Sequence, residues 1–382
     1  MGLESHSGGE VSPLVRPTRA VVDTEALAEN LREIRRVAPG RPVLGVVKAD
    51  AYGHGATLVG PALEAAGIDW LGVALVEEGI ELRERGVRVP VLVLDGAFGS
   101  DCSVLFEYEL TPVVYRLEQL DALAASAGRL GRRPRAHLKV DSGMGRLGVL
   151  PEDVPAFARA ARERGVEFEG VCSHFANADQ GDEPSVRLQG ERFDAAVAQV
   201  RAAGHAPTWL HLANSAATLE LPWAHGTLLR PGLMLYGYVP AERLRGRVSL
   251  RPALRWITEI LQVKRLPKGS PVSYGGRFVT SRPSVLATLA VGYADGYRRG
   301  FSGKVSVLVR GRRAPVVGVI TMDLCVADVT DVPGASVGDE VVLLGRQGGA
   351  EIPVGELARA GDTIDYEVLC GISSRVPRVA AA

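Results

Sequence analysis

The sequence has few cysteines, no net charge and no long apolar runs. Its four cysteines are dispersed without metal-ligand spacing, which predicts no metal site and favours a reduced, cytoplasmic protein. Lysine plus arginine and aspartate plus glutamate number 44 each, so we expect neither nucleic acid nor an anionic membrane as a partner. No run approaches the roughly 18 apolar residues of a membrane span. The first 17 residues lack the apolar core of a signal peptide, which predicts a flexible tail over residues 1–17.

The rest of the chain has the balance of a globular enzyme, with 46% hydrophobic and 23% charged residues, and its length favours two domains. Over residues 18–250, short apolar runs alternate with amphipathic patterns such as Thr24–Val37. Eight runs in this order predict an α/β domain, a (β/α)8 barrel of the TIM type. A doubly wound open sheet is the alternative, but no G-x-G-x-x-G follows an early strand, so the barrel is favoured. The candidate strands are residues 42–47, 70–76, 89–94, 110–115, 135–140, 166–173, 208–213 and 227–236.

A second, β-rich domain is predicted over residues 251–382. Here strand-like runs are separated by Gly and Pro turns, which is typical of an all-β module. One short helix is expected at Val354–Ala360. The predicted strands are Trp256–Val263, Val285–Val291, Lys304–Val309, Ala314–Ile320, Cys325–Asp328 and Glu340–Leu344.

Reactive or polar side chains stand at the carboxyl ends of five predicted barrel strands, where such a barrel places its working groups. Each has a structural interpretation of its own: Lys48 can extend from a strand end into solvent, His174 can be a core histidine, and Asn214 can cap a helix. All five together are harder to explain in that way. The five groups are Lys48 with Tyr52, Asp141 to Arg146, His174, Asn214 with Ser215, and Arg230 to Gly232.

The loops after the seventh and eighth predicted strands can form an anion-binding site. Ser215 and the backbone N–H groups of Gly232 and Leu233 can donate there, at the usual phosphate position of this fold. Lys48, half-buried at a strand end, suits Schiff-base chemistry and proton abstraction. A phosphate across the barrel mouth from such a lysine is the arrangement that pyridoxal 5′-phosphate requires.

The stretch Val46–Gly55 resembles the pyridoxal-phosphate attachment motif of the alanine racemases, and the likeness extends from about Arg19 to Val379. That family pairs a pyridoxal-phosphate barrel with a β domain, as the composition of this chain also predicts. The other motifs that carry the resemblance are Lys139 to Gly148, Ser173 to Ala176, Asn214 to Ala217, Arg230 to Gly232, Val272 to Gly275, Gly292 to Tyr297, Thr321 to Asp323, and Asp365 to Glu367.

The resemblance implies an isomerase that interconverts L-alanine and D-alanine with two proton carriers. Lys48 would form the internal aldimine and move the α-proton on one face. Tyr274, from the other subunit of a homodimer, would act on the opposite face. The D-alanine would supply peptidoglycan in the cytoplasm. The cofactor-binding residues implied are Lys48, Tyr52, His174, Asn214, Ser215, Arg230, Gly232, Leu233 and Tyr366.

Other residues are implied in substrate handling. Arg146 and Met322 would position the substrate carboxylate, and Lys139 matches a lysine that is often carbamylated in this family. Val319 stands where the family usually has arginine, which removes a possible partner of Asp179 and predicts looser control of substrate access. The access corridor implied comprises Asp179, Tyr293, Arg299, Val319 and Ile364.

Three alternatives follow from the same residues. The first is a pyridoxal-phosphate racemase of broader or different specificity, for serine or a basic amino acid. A decarboxylase of diamino acids is less favoured because the Tyr274 motif suits racemisation. A non-catalytic carrier of the cofactor is less favoured because such proteins resemble the barrel alone.

Overall fold

The structure, a computed structural model, describes residues 16–381. The tail predicted over residues 1–17 therefore lies outside the described residues except for its last two. The chain forms two compact units, and it passes from one to the other between Leu254 and Arg255. Of the described residues, the barrel unit comprises Val22–Leu254, Leu369–Gly371 and residues 380–381, and the β unit comprises residues 16–21, Arg255–Val368 and Ile372–Val379.

Parallel strands form the centre of the barrel unit. The first strand of the chain, β1 (Arg19–Val22), joins the sheet of the β unit, and the next seven strands pair in sequence order. Each of the seven falls inside a run that the sequence predicted. They are β2 (Leu44–Val46), β3 (Trp70–Val73), β4 (Val91–Val93), β5 (Leu110–Val114), β6 (Arg135–Lys139), β7 (Glu167–Cys172) and β8 (Trp209–His211).

Residues 228–231 form the eighth strand-like segment and close the barrel. Leu229 accepts a hydrogen bond from the Leu44 amide (2.8 Å) and donates to the Pro42 carbonyl (3.0 Å) on one side. On the other side Arg230 donates to the Ala213 carbonyl (2.9 Å). The (β/α)8 barrel predicted from the sequence is confirmed. The predicted eighth strand was too long, because the chain turns at residue 232 into a 3-10 helix over Leu233–Tyr236.

Helices alternate with the barrel strands. The first, α1, has the bounds that the sequence predicted, because Asp23 caps it through the Ala26 amide (2.9 Å) and its apolar side chains are buried along one face. The helical segments of this unit are α1 (Thr24–Val37), α2 (Lys48–Gly53), α3 (Ala56–Ala65), α4 (Val76–Glu84), α5 (Ser103–Glu107), α6 (Leu117–Leu130), α7 (Val154–Glu163), α8 (Pro184–Ala202) and α9 (Ser215–Glu220), all right-handed except α2.

The segment α2 is a left-handed turn that begins at Lys48. Ala49, Asp50, Ala51 and Tyr52 all have φ between 52° and 54°, a conformation that costs a non-glycine residue about 1–2 kcal/mol. Its hydrogen bonds oppose this cost: the Ala49 amide donates to Glu78 (2.6 Å), and the Ala51 amide donates to the Val47 carbonyl (2.8 Å). Strained backbone conformations such as these positive φ angles occur preferentially at functional sites.

Replacing Ala49 by glycine is therefore expected to stabilise the protein. Glycine adopts positive φ without a steric penalty, so Ala49→Gly should raise the free energy of unfolding by about 1 kcal/mol in denaturant titration of the cofactor-free protein. The matched control is Ala125→Gly, at an exposed position inside the right-handed helix α6, which should lower it by about 1 kcal/mol. Equal destabilisation by both changes would contradict the left-handed turn.

The β unit is built on a nine-stranded sheet in which most neighbours are antiparallel. Strand β1 was missed by the sequence prediction, which began the barrel domain at residue 18. The predicted helix at Val354–Ala360 is present as α10, and α11 (Asp365–Cys370) follows it. The remaining strands are β9 (Leu254–Leu266), β10 (Pro271–Val272), β11 (Phe278–Val279), β12 (Ser284–Leu289), β13 (Ser306–Val309), β14 (Arg312–Val317), β15 (Cys325–Asp328), β16 (Glu340–Gln347), β17 (Ala350–Ile352) and β18 (Arg378–Ala380).

Each predicted strand after residue 251 overlaps an observed one, and Cys325–Asp328 has the predicted bounds, so the mostly-β character of this region is confirmed. Within residues 16–381, we find no helix whose length and apolar character would let it cross a bilayer.

Candidate active site

A buried arginine organises the carboxyl ends of the last barrel strands. Arg230 is only 5% exposed, and burial lowers the pKa of its guanidinium. One terminal nitrogen donates to the His211 carbonyl (2.7 Å) and lies 3.1 Å from His211 Nδ1. The other donates to the Ser173 carbonyl (2.8 Å) and lies 3.1 Å from His174 Nδ1. Both histidines therefore present an unprotonated Nδ1, because arginine can only donate.

The pKa of His174 shows that the predicted cations converge. Burial is the largest cause, and together with the positive charges of Arg230, Lys139, Arg146 and Lys48, in that order, it lowers this pKa to about 2. His174 is consequently neutral over the physiological range and serves as an acceptor for Arg230. The sequence predicted these residues at separate strand ends, and in the structure their charges act on the imidazole of His174.

A second row of buried side chains continues from Arg230 into the barrel. His211 Nε2 lies 2.8 Å from His137 Nδ1, and His137 Nε2 lies 3.7 Å from a carboxylate oxygen of Glu169. Burial lowers the pKa of both histidines, so the hydrogen bonds run in one direction, from Arg230 through the neutral His211 ring to His137. Gly170 makes room for this row, because a Cβ there would lie 2.4 Å from His137 Nδ1.

The predicted phosphate site is a compact cradle around Gly232. The Ser215 hydroxyl is buried and accepts the amide N–H groups of Gly232 (3.0 Å) and Met234 (3.4 Å). A Cβ on Gly232 would lie 2.5 Å from the Tyr52 hydroxyl, so only glycine lets the tyrosine approach this backbone. Asn214 has a structural task here, since its side-chain oxygen caps α9 through the Ala217 amide (3.0 Å).

These features fit pyridoxal phosphate. Hydroxyl groups and backbone amides gather at the start of α9 and in the Gly232 turn, which suits a phosphate. Arg230 places a buried, donor-only group beside them, which suits an unprotonated pyridine nitrogen. Lys48 lies at the strand end, where a carbonyl carbon can be captured.

Arg146 lies in a loop whose backbone is held by Asp141, a residue of the same loop. Asp141 accepts the backbone amides of Gly143 (3.0 Å), Gly145 (3.0 Å) and Arg146 (3.1 Å). Partial burial raises the pKa of the Asp141 carboxyl, but these amides outweigh burial and leave the pKa below its ordinary value. Lys139 ends the preceding strand, and burial lowers its pKa to about 8.

In the β unit, the predicted site residues meet on one backbone segment, residues 318–322. Tyr293 donates its amide to the Thr321 carbonyl (2.9 Å), and Gly292 packs so closely that a Cβ would lie 2.3 Å from the Met322 carbonyl. The Ser273 hydroxyl donates to the Val319 carbonyl (2.7 Å) directly before Tyr274. Several of these side chains are open to solvent in the single chain: Tyr274 (72% exposed), Met322 (53%), Tyr293 (41%) and Ile364 (63%).

The residues predicted for the access corridor are divided between the two units. Asp179 lies in a short 3-10 turn of the barrel unit, where Arg243 Nε donates to its carbonyl (2.9 Å). Arg299 begins a similar turn in the β unit and is exposed. Val319 is buried, at 4% exposure, so its side chain belongs to the interior of the β unit. Tyr366 is half-buried in α11.

Sequence models of known families match both parts of the chain. The N-terminal domain of alanine racemase matches residues 22–240, and the C-terminal domain of alanine racemase matches residues 253–380. The chain belongs to the alanine racemase family. The alanine racemase of Symbiobacterium thermophilum is 47% identical over 365 residues, which are 95% of this chain and 97% of that relative.

Solved structures of alanine racemases agree with the fold. The enzyme of a D-cycloserine-producing Streptomyces lavendulae has a TM-score of 0.91 at 38% identity, covering 96% of this chain and 97% of that one. The Bacillus anthracis alanine racemase with bound L-Ala-P has a TM-score of 0.90 at 33% identity, covering 97% and 96%. The activity of this family member is the interconversion of L-alanine and D-alanine, with pyridoxal phosphate as the cofactor. A racemase for other amino acids is not favoured.

Several residues of the alanine racemase site escaped the sequence prediction. His211 and His137 lie inside predicted strands, where a histidine in an apolar run was the available signal, and Glu169 lies between them in sequence. Asp141 was noted as part of a motif, but its role as acceptor for its own loop needs the folded backbone.

Proposed function

We propose that Lys48 and Tyr274 are the two proton carriers of this racemase, acting on opposite faces of the substrate α-carbon. Racemisation needs two carriers, because a single one tends to return the proton to the face from which it came. The observation that supports the proposal is that Lys48 follows β2 and lies four residues before Tyr52, whose hydroxyl approaches the Gly232 backbone. Kinetics of the Lys48 and Tyr274 variants, described in the Discussion, test it.

Tyr52, Ser215 and the backbone at Gly232 and Leu233 would hold the cofactor phosphate, with Tyr366 as a further contact. When bound, pyridoxal phosphate supplies a carbonyl carbon that condenses with amines and a ring that accepts electrons from the α-carbon. Ser215 Oγ, which already accepts two amides, keeps its own proton to donate to an anion. Asn214 acts in this site by fixing the start of α9.

Arg230 would donate an N–H to the pyridine nitrogen and keep that nitrogen unprotonated. A guanidinium does not surrender its proton near neutral pH, so the electron sink stays weaker than one paired with a carboxylic acid. His174 and His211 hold Arg230 in place through their neutral Nδ1 atoms. A weaker sink would limit side transamination.

Arg146 and the backbone of Met322 would position the substrate carboxylate. Asp141 supports this role by fixing the loop that carries Arg146. Lys139 would be carbamylated, which converts a buried cation into an anion facing Arg146. Burial that lowers the pKa of Lys139 to about 8 supports this, since the neutral amine is the form that reacts with carbon dioxide.

Carbamylation of Lys139 has a direct spectroscopic consequence. Near pH 8 about half of this amine is neutral, so protein equilibrated with carbon-13-labelled bicarbonate should show one carbamate signal in carbon NMR. Lys139→Met should abolish the signal, and Lys264→Met, at an exposed lysine of β9, should leave it unchanged. A signal that survives Lys139→Met, or is absent from the parent, would contradict the assignment.

The working unit is proposed to be a homodimer with shared sites. Tyr274 and Met322 are largely exposed in the single chain, which supports their use by a partner. The proposed setting is the cytoplasm, where D-alanine supplies peptidoglycan. The cysteines Cys102, Cys172, Cys325 and Cys370 are free thiols in the described chain, which suits a reducing compartment.

Alanine is expected to be the best substrate, with serine turned over detectably and lysine poorly. One steric contact in such a pocket discriminates by about 1–3 kcal/mol, or roughly 10- to 200-fold in kcat/KM. Val319→Arg restores the residue usual in the family and should raise the alanine-to-serine ratio of kcat/KM. That ratio is measured on one preparation, so any loss of folded protein cancels.

The control for this change is Val319→Leu, which adds volume at the same buried position without charge. An unchanged ratio in Val319→Arg, or an equal change in both variants, would show that no charge at residue 319 governs substrate access.

A further inference from the structure

The backbone before Tyr274 is held in a conformation that side chains other than glycine rarely adopt. Ser273 has φ 62° and ψ −172°, a region populated almost only by glycine. Such a residue persists only where surrounding contacts over-determine it, and it is a pointer to function. Gly275 (φ 70°) and Gly276 (φ 55°) continue the unusual backbone, so Tyr274 stands between positive-φ residues.

Two contacts fix Ser273. Its hydroxyl donates to the Val319 carbonyl at 2.7 Å, and its own carbonyl accepts the Gly276 amide at 3.2 Å, closing the turn around Tyr274. The strand pair β10 and β11 ties both sides of the turn, with Val272 opposite Phe278. The only side-chain contact among these is the one from the Ser273 hydroxyl.

The neighbouring segment is shaped to receive that hydroxyl. Gly318 has φ +69°, and a Cβ there would lie 2.8 Å from Ser273 Cβ and 3.1 Å from the Val272 carbonyl. The absence of this atom lets the two backbones approach closely enough for the hydrogen bond. The acceptor is a backbone carbonyl, so any residue at position 319, valine or arginine, supplies it.

We propose that Ser273 is a positioning residue for Tyr274. Its hydrogen bond to the Val319 carbonyl holds the strained backbone that fixes the direction in which the tyrosine leaves the β unit. The inference rests on the proposed role of Tyr274 as a proton carrier. Proton transfer by Tyr274 would then depend on the Ser273 hydroxyl, which touches neither substrate nor cofactor.

Two substitutions at Ser273 separate positioning from folding. Ser273→Ala removes the hydrogen bond and keeps the strain, whereas Ser273→Gly removes both. In thermal unfolding of the cofactor-free protein, the glycine variant should therefore be more stable than the alanine variant. Both should lower kcat by about ten- to a hundredfold with little change in KM, because a misplaced carrier impairs proton transfer rather than binding.

A matched control is Ser270→Ala, which removes a similar hydroxyl-to-carbonyl bond, 2.9 Å to Pro267, in the same hairpin. Its kcat should equal that of the parent. Activity that follows stability, with Ser273→Gly as active as the parent, would overturn the proposal and leave Ser273 a purely structural residue.

Combining Ser273→Ala with Tyr274→Phe distinguishes the positioning role of Ser273 from the proton-carrying role of Tyr274. If Ser273 acts through the tyrosine hydroxyl, Ser273→Ala should lower kcat in the parent and have no further effect in Tyr274→Phe. Equal losses in both backgrounds would overturn the positioning role alone. Full activity of Tyr274→Phe by itself would overturn the proposed function of the tyrosine.

Discussion

Replacing Lys48 by alanine is expected to lower the turnover of alanine by about a thousandfold or more, because this residue both captures the cofactor and carries a proton. Added small amines should recover part of the loss by substituting for the missing proton carrier. Chiral chromatography of L-alanine and D-alanine after incubation measures both effects. Lys264→Ala, at an exposed lysine of β9, is the control and should be fully active.

The same lysine should be the point of covalent attachment. Borohydride treatment of the cofactor-loaded protein should bleach its visible absorbance, and peptide mapping should find the reduced cofactor on Lys48. Attachment to another lysine, or an unimpaired Lys48→Ala variant, would contradict the assignment of this residue.

Tyr274→Phe is expected to lower kcat by about 10²- to 10⁴-fold, the usual contribution of a positioned acid or base. Because the equilibrium constant of racemisation is unity, kcat/KM must fall equally in both directions, but the tyrosine and Lys48 each take the α-proton from a different enantiomer. Deuterium at the α-carbon should therefore change its kinetic isotope effect more in one direction than in the other. KM should move little, since the phenol is removed without opening the substrate site.

An equal change of the deuterium isotope effect in both directions would argue against separate carriers for the two faces. The enzyme should still exchange the α-hydrogen of one enantiomer with solvent while converting little of it, since Lys48 remains. Absence of such exchange in Tyr274→Phe would point to a disturbed site rather than to a missing carrier.

The barrel could be predicted from the sequence because its signals are local. In α1 the amphipathic period and the Asp23 cap coincide, so the predicted and observed bounds are the same. The predicted eighth strand was too long because apolar composition does not distinguish residues 228–231 from the 3-10 turn that follows. Strand β1 could not be found in this way, since it is only four residues long and its sheet partner β9 lies more than two hundred residues further along the chain.

The candidate site was predicted as a set of residues but not as a network. Strand-end positions predicted Lys48, His174 and Arg230 as site residues, because the carboxyl ends of parallel barrel strands lie at one end of the barrel. The donor direction from Arg230 through His211 depends on buried distances that no sequence pattern encodes. The left-handed turn after Lys48 was equally hidden, because alanine and tyrosine favour other conformations and are held there by tertiary contacts.

The central claim, two proton carriers from two protomers in one site, is tested most directly by mixing inactive chains. Lys48→Ala and Tyr274→Phe proteins, combined in equal amounts under conditions that exchange subunits, should form heterodimers in about half of the dimers. Each heterodimer would contain one intact site of two, so alanine racemisation should return to about a quarter of the parent activity. No recovery after verified subunit exchange would contradict shared sites and place both carriers within a single chain.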